Sequence, residues 1–318
     1  MATTLPTRED LRASLPDTSA AFHLPGLDGP LSLYRDAYGI AHVHAQSAHD
    51  AFVGQGFSTA QDRFWQMDYD RRRAYGRWAE CVGEPGLAQD IMMRRLQIGA
   101  SVQRDYAALN TATRGMLEAY TLGVNAFLQT TPPLPVEYTL LAGHGQAASL
   151  IEPWQPWDCL AVFKVRHVLM GVFEGKLWRT RLVQALGAEK AAALLQGYQP
   201  GHLLIVPPGG VYDGAVLDGV AELSRHLDAL AWLREDAEAG SNNWVLAGNR
   251  TLSGKPLLAG DPHRGLDTPN VYYQNHIACA DFDVIGLAFP GCPGFPHFGH
   301  NAHVAWCVTH AGADYQDL

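Results

Sequence analysis

The spacing of apolar and polar positions changes character twice along this chain. Residues 30–45, PLSLYRDAYGIAHVHA, alternate apolar and polar side chains about a Tyr38-Gly39 pair, which predicts a β-hairpin at the start of the fold. From Ser47 the period lengthens. Ala51, Phe52, Phe57, Ala60, Phe64, Trp65, Met67 and Tyr69 recur at three- and four-residue spacing, so one or two helices are expected there. Phe57, Phe64, Trp65 and Trp78 belong to the core on this reading, and the run Arg71-Arg72-Arg73 to a solvated face. Further helices are expected around 88–105 and 111–130. The stretch from the Pro156 and Asp158 start signal to Gly187 reads as a long helix, broken near Gly171.

Residues 188–240 have another texture. YQPGHLLIVPPGGVYDG is rich in Pro and Gly, and the amphipathic AELSRHLDALAWLREDAEAG follows it, as in a spacer. After Ser241 come short β-like runs, NNWVLAG, KPLLAGD, NVYYQNHIACA, FDVIGLAFPG and NAHVAWCVTHAG, divided by Gly, Pro and Asn turns. The expected division is a mainly helical part over 1–187, a spacer over 188–240, and the start of a β-rich domain over 241–318.

The 318 residues suffice for a sizeable core, and 47% of them are hydrophobic, which argues against disorder. Acidic residues outnumber basic ones, 32 to 23, giving a formal charge of −9 and an unfavourable balance for a nucleic-acid partner. No apolar run approaches the ~18–20 residues of a membrane span, so no membrane association is expected. The five cysteines, Cys81, Cys159, Cys279, Cys292 and Cys307, are odd in number and form no CxxC pair, which suggests thiols in a reducing compartment. Charged residues interrupt the N-terminal stretch where a secretory signal would need an apolar run, and a cytoplasmic location is expected.

The candidate chemistry begins at Gly240-Ser241-Asn242-Asn243-Trp244-Val245, where spacer meets strand. As it stands this is a polar turn feeding a strand. A serine placed at a chain N-terminus, however, carries its own base: an α-amine of pKa about 7.7–8.0 is partly neutral near pH 7 and can accept the hydroxyl proton. Such a serine is made by cleaving the bond before it. Glycine at that place permits the backbone strain needed for the hydroxyl to attack its carbonyl.

At this point the chain resembles the penicillin acylase family of N-terminal-nucleophile hydrolases. RDAYGIAHVHAQSAHDAFVGQGFSTAQDRFWQMDYDRRRAYGRWAECVGE is similar to the family's opening segment, residues 154–187 to its long α-subunit helix region, and GSNNWVLAG to the junction where the precursor is cut. PGCPGFPHFGHNAHVAWCVTHAGADYQDL resembles the strand segment that supplies an oxyanion-hole amide. The resemblance implies an α+β fold, an αββα sandwich of which only the first strands are present, behind a mainly helical α-subunit region. It also implies an N-terminal fragment of a longer enzyme, with unpaired sheet edge and apolar surface exposed. The implied activity is hydrolysis of the linear amide of an acylated amine, a β-lactam, an acyl-homoserine lactone or a related small molecule. The α and β chains made by self-cleavage would be each other's partners.

Residue roles follow from the same resemblance. Ser241 becomes the nucleophile, exposed by autocatalytic cleavage of Gly240–Ser241. His263, in AGDPHRG, assists the serine's amine, and the backbone N–H of Ala311 stabilises the oxyanion. Met170, Phe173, Phe298 and Thr309 match positions bordering the acyl pocket, and Arg264 stands where penicillin G acylases place an aromatic pocket residue. Glu174, Asp314 and Asp317 match carboxylates that hold a structural calcium in several members. No organic cofactor is implied. A competing reading is a zinc module built on His297, His300, His303 and His310 with Cys292 and Cys307, although the spacing is not a common zinc signature. A catalytically incomplete fragment or binding protein is the other alternative.

Overall fold

A computed structural model describes residues 5–130, 132–133, 135–141, 151–170, 173–194, 222 and 240–310, apart from the side chains of 169, 170, 173 and 174. The chain divides into two units, one of Met1–Arg166 with Glu235–His310, the other of His167–Arg234 with Ala311–Leu318. In the second unit the described structure is helical: the end of α8 (Pro156–Met170), then α9 (Phe173–Leu186) and α10 (Ala188–Leu194). α8 ends at Met170 and α9 starts at Phe173, and the expected break near Gly171 itself lies outside the described residues. α10 occupies the first residues of the expected spacer; the rest of it, residues 222 and 240 apart, lies outside the described residues.

The first unit begins with a short helix, α1 (Arg8–Ala13), and the expected hairpin of β1 (Ser32–Arg35) and β2 (Ala41–His44). Asp36 ties its turn by accepting the amides of Tyr38 and Ile40, and Gly39 takes the positive φ of 78° that the turn needs. β2 pairs in parallel with β5 (Tyr273–Ala278), which continues antiparallel through β6 (Asp283–Ala288), β7 (Phe298–His300) and β8 (Ala305–Trp306). The sheet order is β1-β2-β5-β6-β7-β8, so one sheet unites strands from both sides of residue 240.

The periodic run after Ser47 forms α2 (Ala48–Tyr75), with the Ser47 hydroxyl capping the Asp50 amide. A kink at Arg63 marks the place where its guanidinium donates to the carbonyls of Asn270 and Tyr272. α2 lies against the sheet on one side and against α6 (Thr111–Gln129) on another. Contact is backbone-close: a Cβ on Gly123 would stand 1.9 Å from the Val53 carbonyl oxygen, and one on Gly54 2.4 Å from Val43 Cγ1. Phe57, Phe64, Met67, Tyr120, Phe127 and Trp154 fill the core around this contact, with Trp65 and Trp78 partly buried at its margin. The connecting helices α3 (Ala79–Val82), α4 (Glu84–Arg95), α5 (Ile98–Ala108) and α7 (Val136–Leu141) complete the helical part.

The expectation of a solvated face at Arg71-Arg72-Arg73 is corrected: these residues are only 3–5% exposed. Each meets a carboxylate one turn earlier on α2, Arg71 and Arg72 at Asp68 and Arg73 at Asp70. Arg71 also reaches Asp158, and Arg166 closes on Asp70 from α8. Buried guanidiniums are tolerable because each is matched and hydrogen-bonded.

Beyond the six-stranded sheet, β3 (Gly240–Leu246) and β4 (Leu257–His263) form a separate antiparallel ribbon. It exposes apolar side chains, Trp244 at 55% and Val245 at 69%, as expected of uncovered sheet.

Candidate functional site

Ser241 is the second residue of β3 and pairs with Pro262 on β4. Pro262 brings no N–H to the ladder at this pair. The segment 307–310 crosses the ribbon on the face that carries Ser241 and Asn243. There the His310 amide donates to Ser241 Oγ at 2.9 Å, and Cys307 Sγ lies 3.0 Å from Asn243 Oδ1. A Cβ on Gly260, opposite Asn243, would stand 2.6 Å from Cys307 Cβ, so glycine there lets the crossing segment approach.

His263 occupies the other face. It is the register partner of Gly240, and alternation along the strands turns its imidazole away from the Ser241 hydroxyl. Its Nδ1 stands 3.1 Å from where a Gly240 Cβ would be, and its Nε2 3.2 Å from Asp261 Oδ2. The structure therefore brings His263 to the glycine side of the Gly240–Ser241 bond, with Asp261 orienting the ring. The sequence places His310 and Cys307 in the competing zinc reading and Asn243 only in the strand-entry motif, whereas the fold gathers all three around Ser241. Asp261 has no role in the sequence reading, and its close spacing to His263 in AGDPHRG is the available signal.

The remaining candidates are dispersed. Thr309 immediately precedes the His310 amide, while Phe298 sits on β7 with its ring edge-on to Tyr272 at 5.3 Å. Met170 ends α8, and Phe173 and Glu174 open α9; their side chains lie outside the described residues. Ala311, Asp314 and Asp317 lie outside them altogether.

His297, His300, His303 and His310 do not gather with the cysteines into a three-ligand group. Among the described residues, the group that does bring three such atoms within 4.8 Å of one another is Asp28, His49 and Asp50. There Asp50 already accepts the amides of Asp28 and Gly29 at 3.0 and 2.9 Å, which fastens the N-terminal loop to α2.

A strand whose serine hydroxyl accepts a backbone amide, next to a histidine-flanked glycine, is found in a chain whose residues 30–318 match the family model described as penicillin amidase. The chain belongs to the penicillin amidase family. It is 44% identical over 316 residues to a penicillin acylase 2 proenzyme of Pseudomonas sp. (strain SE83), covering 98% of this chain and 40% of that protein. It is 32% identical over 313 residues to the acyl-homoserine lactone acylase QuiP of Pseudomonas aeruginosa, covering 96% of this chain and 36% of that protein. A solved structure, a thermostable penicillin G acylase from Alcaligenes faecalis, aligns at 27% identity and a TM-score of 0.44, over 57% of this chain and 98% of that one. The chain thus spans about two fifths of the length of the curated relatives it matches. Among the described residues of this penicillin amidase family member, no helix is long and apolar enough to cross a membrane.

Proposed function

We propose that this chain carries the nucleophile of an amidohydrolase that cleaves the linear amide of a small acylated amine, a β-lactam, an acyl-homoserine lactone or a related compound. Ser241 is freed by its own attack on Gly240. The observation that carries the reading is the His310 amide on Ser241 Oγ, a donor held by the fold within reach of the place where an oxyanion would form. The relatives' names, penicillin acylase proenzyme and acyl-homoserine lactone acylase, support the substrate class and the processing step.

In maturation, Ser241 Oγ adds to the Gly240 carbonyl carbon and the Gly240–Ser241 C–N bond breaks. The hydroxyl proton passes to the departing Ser241 nitrogen, directly or through one water, while His263, on the glycine side of the bond, assists the amine that is released. Water then hydrolyses the ester, releasing a carboxylate at Gly240 and a free Ser241 amine. In turnover that amine, of ordinary pKa about 7.7–8.0, takes the hydroxyl proton as Oγ attacks the substrate amide. The proton leaves with the product amine, and water hydrolyses the acyl-serine. The His310 and Ala311 amides serve as oxyanion donors; removal of one such donor typically costs about 2.7–4 kcal/mol of barrier.

Intact mass after expression tests the reading. The wild-type chain should split before Ser241, and Ser241→Ala should abolish the split. A chain that stays uncut and shows no amidase activity would leave the second reading, an inactive scaffold, which the exposed apolar ribbon favours. Calcium at Glu174, Asp314 and Asp317 belongs to the same proposal; metal analysis of Asp314→Asn against wild type checks it.

A further inference from the structure

We infer that His42 and His276 form a binding site for a divalent transition-metal ion on the sheet face opposite α2. The two residues are register partners in the parallel β2–β5 pair. Their neighbours Val43 and Ile277 point into the core, so both imidazoles project from the other face. Their Nδ1 atoms stand 2.9 Å apart and the rings meet edge to face at 80°. Each distal nitrogen has a carboxylate: His42 Nε2 is 3.4 Å from Asp36 Oδ2, and His276 Nε2 is 2.8 Å from Asp283 Oδ1. The histidine side chains are 15% and 13% exposed; Tyr34 stacks on His42 at 4.7 Å, and His44 meets His276 edge to face at 5.2 Å, so each ring is held by an aromatic neighbour.

Proton accounting makes this arrangement unusual. A neutral imidazole has one N–H. If each Nε2 donates to its aspartate, the two Nδ1 lone pairs face each other across 2.9 Å, with a carboxylate behind each ring. The array then calls for positive charge between the rings. One shared proton supplies a single charge, whereas a divalent metal supplies two and matches both carboxylates. Carboxylates on the distal nitrogens are also the outer partners that orient metal-bound histidines.

The separation bears on the coordination angle. With nitrogen–metal bonds of about 2.0–2.1 Å, nitrogens 2.9 Å apart subtend about 90°, the cis angle of square-planar or octahedral coordination. Tetrahedral zinc would need nitrogens about 3.3 Å apart. The site therefore fits the Ni2+ and Cu2+ class, with water in the remaining positions. His42 precedes residue 240 and His276 follows it. If Gly240–Ser241 is cut, as proposed above, the ion would clip the two products together; the site itself does not depend on that reading.

Calorimetric titration of Ni2+ into untagged Ser241→Ala chain tests the site with cleavage removed. One saturable equivalent is expected, weakened at least tenfold by His42→Gln or His276→Gln and unchanged by His300→Gln. Asp283→Asn, at an exposed carboxylate, should weaken it by about 10- to 100-fold. Circular dichroism checks the fold; if a histidine variant unfolds, Asp283→Asn decides. No saturable equivalent, binding indifferent to these changes, or equal loss in His300→Gln would overturn the proposal.

Discussion

Asp68→Asn should destabilise the helical part severely, because Asp68 is the centre of the buried charge network on α2. Its carboxylate has no exposure and accepts hydrogen bonds from Arg71 Nε at 3.1 Å, Arg72 Nε at 2.9 Å and the Tyr138 hydroxyl at 2.8 Å. Asparagine keeps the shape but removes the charge and turns an amide N–H2 toward guanidinium donors. Breaking one partner of a buried pair costs about 3–5 kcal/mol. Arg71 keeps Asp158 and Arg72 keeps Glu80, both at 3.3 Å, so the loss should fall near about 3 kcal/mol. Tyr138→Phe removes one hydrogen bond to a charged acceptor and should cost about 1.5–3 kcal/mol. Urea unfolding followed by tryptophan fluorescence reads both as shifts in midpoint at constant slope.

The pH dependence gives a second arm. Burial alone would raise the Asp68 carboxyl, but the Arg71 and Arg72 guanidiniums outweigh it and hold the group below the ordinary carboxylate value. As pH falls below about 3.9, the unfolded chain takes up this proton before the folded chain does, so the stabilisation is present at neutral pH and lost in acid. The gap between wild type and Asp68→Asn should therefore be full at pH 7 and narrow on acidification. A loss under about 1 kcal/mol at pH 7, or a gap that widens in acid, would refute the reasoning.

Gly123→Ala would drive a methyl into the Val53 carbonyl and should part α2 from α6, costing at least about 3 kcal/mol in the same urea assay. Arg63→Met removes the donors to Asn270 and Tyr272 and should lower stability by about 1–2 kcal/mol, with faster amide exchange in residues 270–273. Burial pushes the Cys159 thiol up to about 12, so at pH 8 iodoacetamide should label the half-buried Cys279 and Cys307 well before Cys159, as read by peptide mass spectrometry.

What the sequence determined by itself is local or carried by motif. The hairpin at 30–45 follows from alternation around a glycine that must turn, and α2 follows from a three- and four-residue apolar period that opens on Ser47. The strand at GSNNWVL and the strands after it were legible for the same reason, since neighbouring residues specify them. The tertiary structure alone decided which charges are buried. Asp68 and Asp70 stand one turn before the three arginines in plain view, yet only the packing of Asp158, Tyr138 and Arg166 against that turn removes it from water.

Tertiary structure alone also decided the relation of Ser241 to His263. In an antiparallel pair a shift of one residue exchanges faces, and the register that sets Gly240 opposite His263 puts hydroxyl and imidazole on opposite sides. No local pattern states that register, because it is closed by the turn at 247–256 and by the crossing segment at 307–310. The same holds for His42 and His276: a parallel pairing across more than two hundred residues of chain makes them neighbours, and only the folded sheet brings their nitrogens within 2.9 Å.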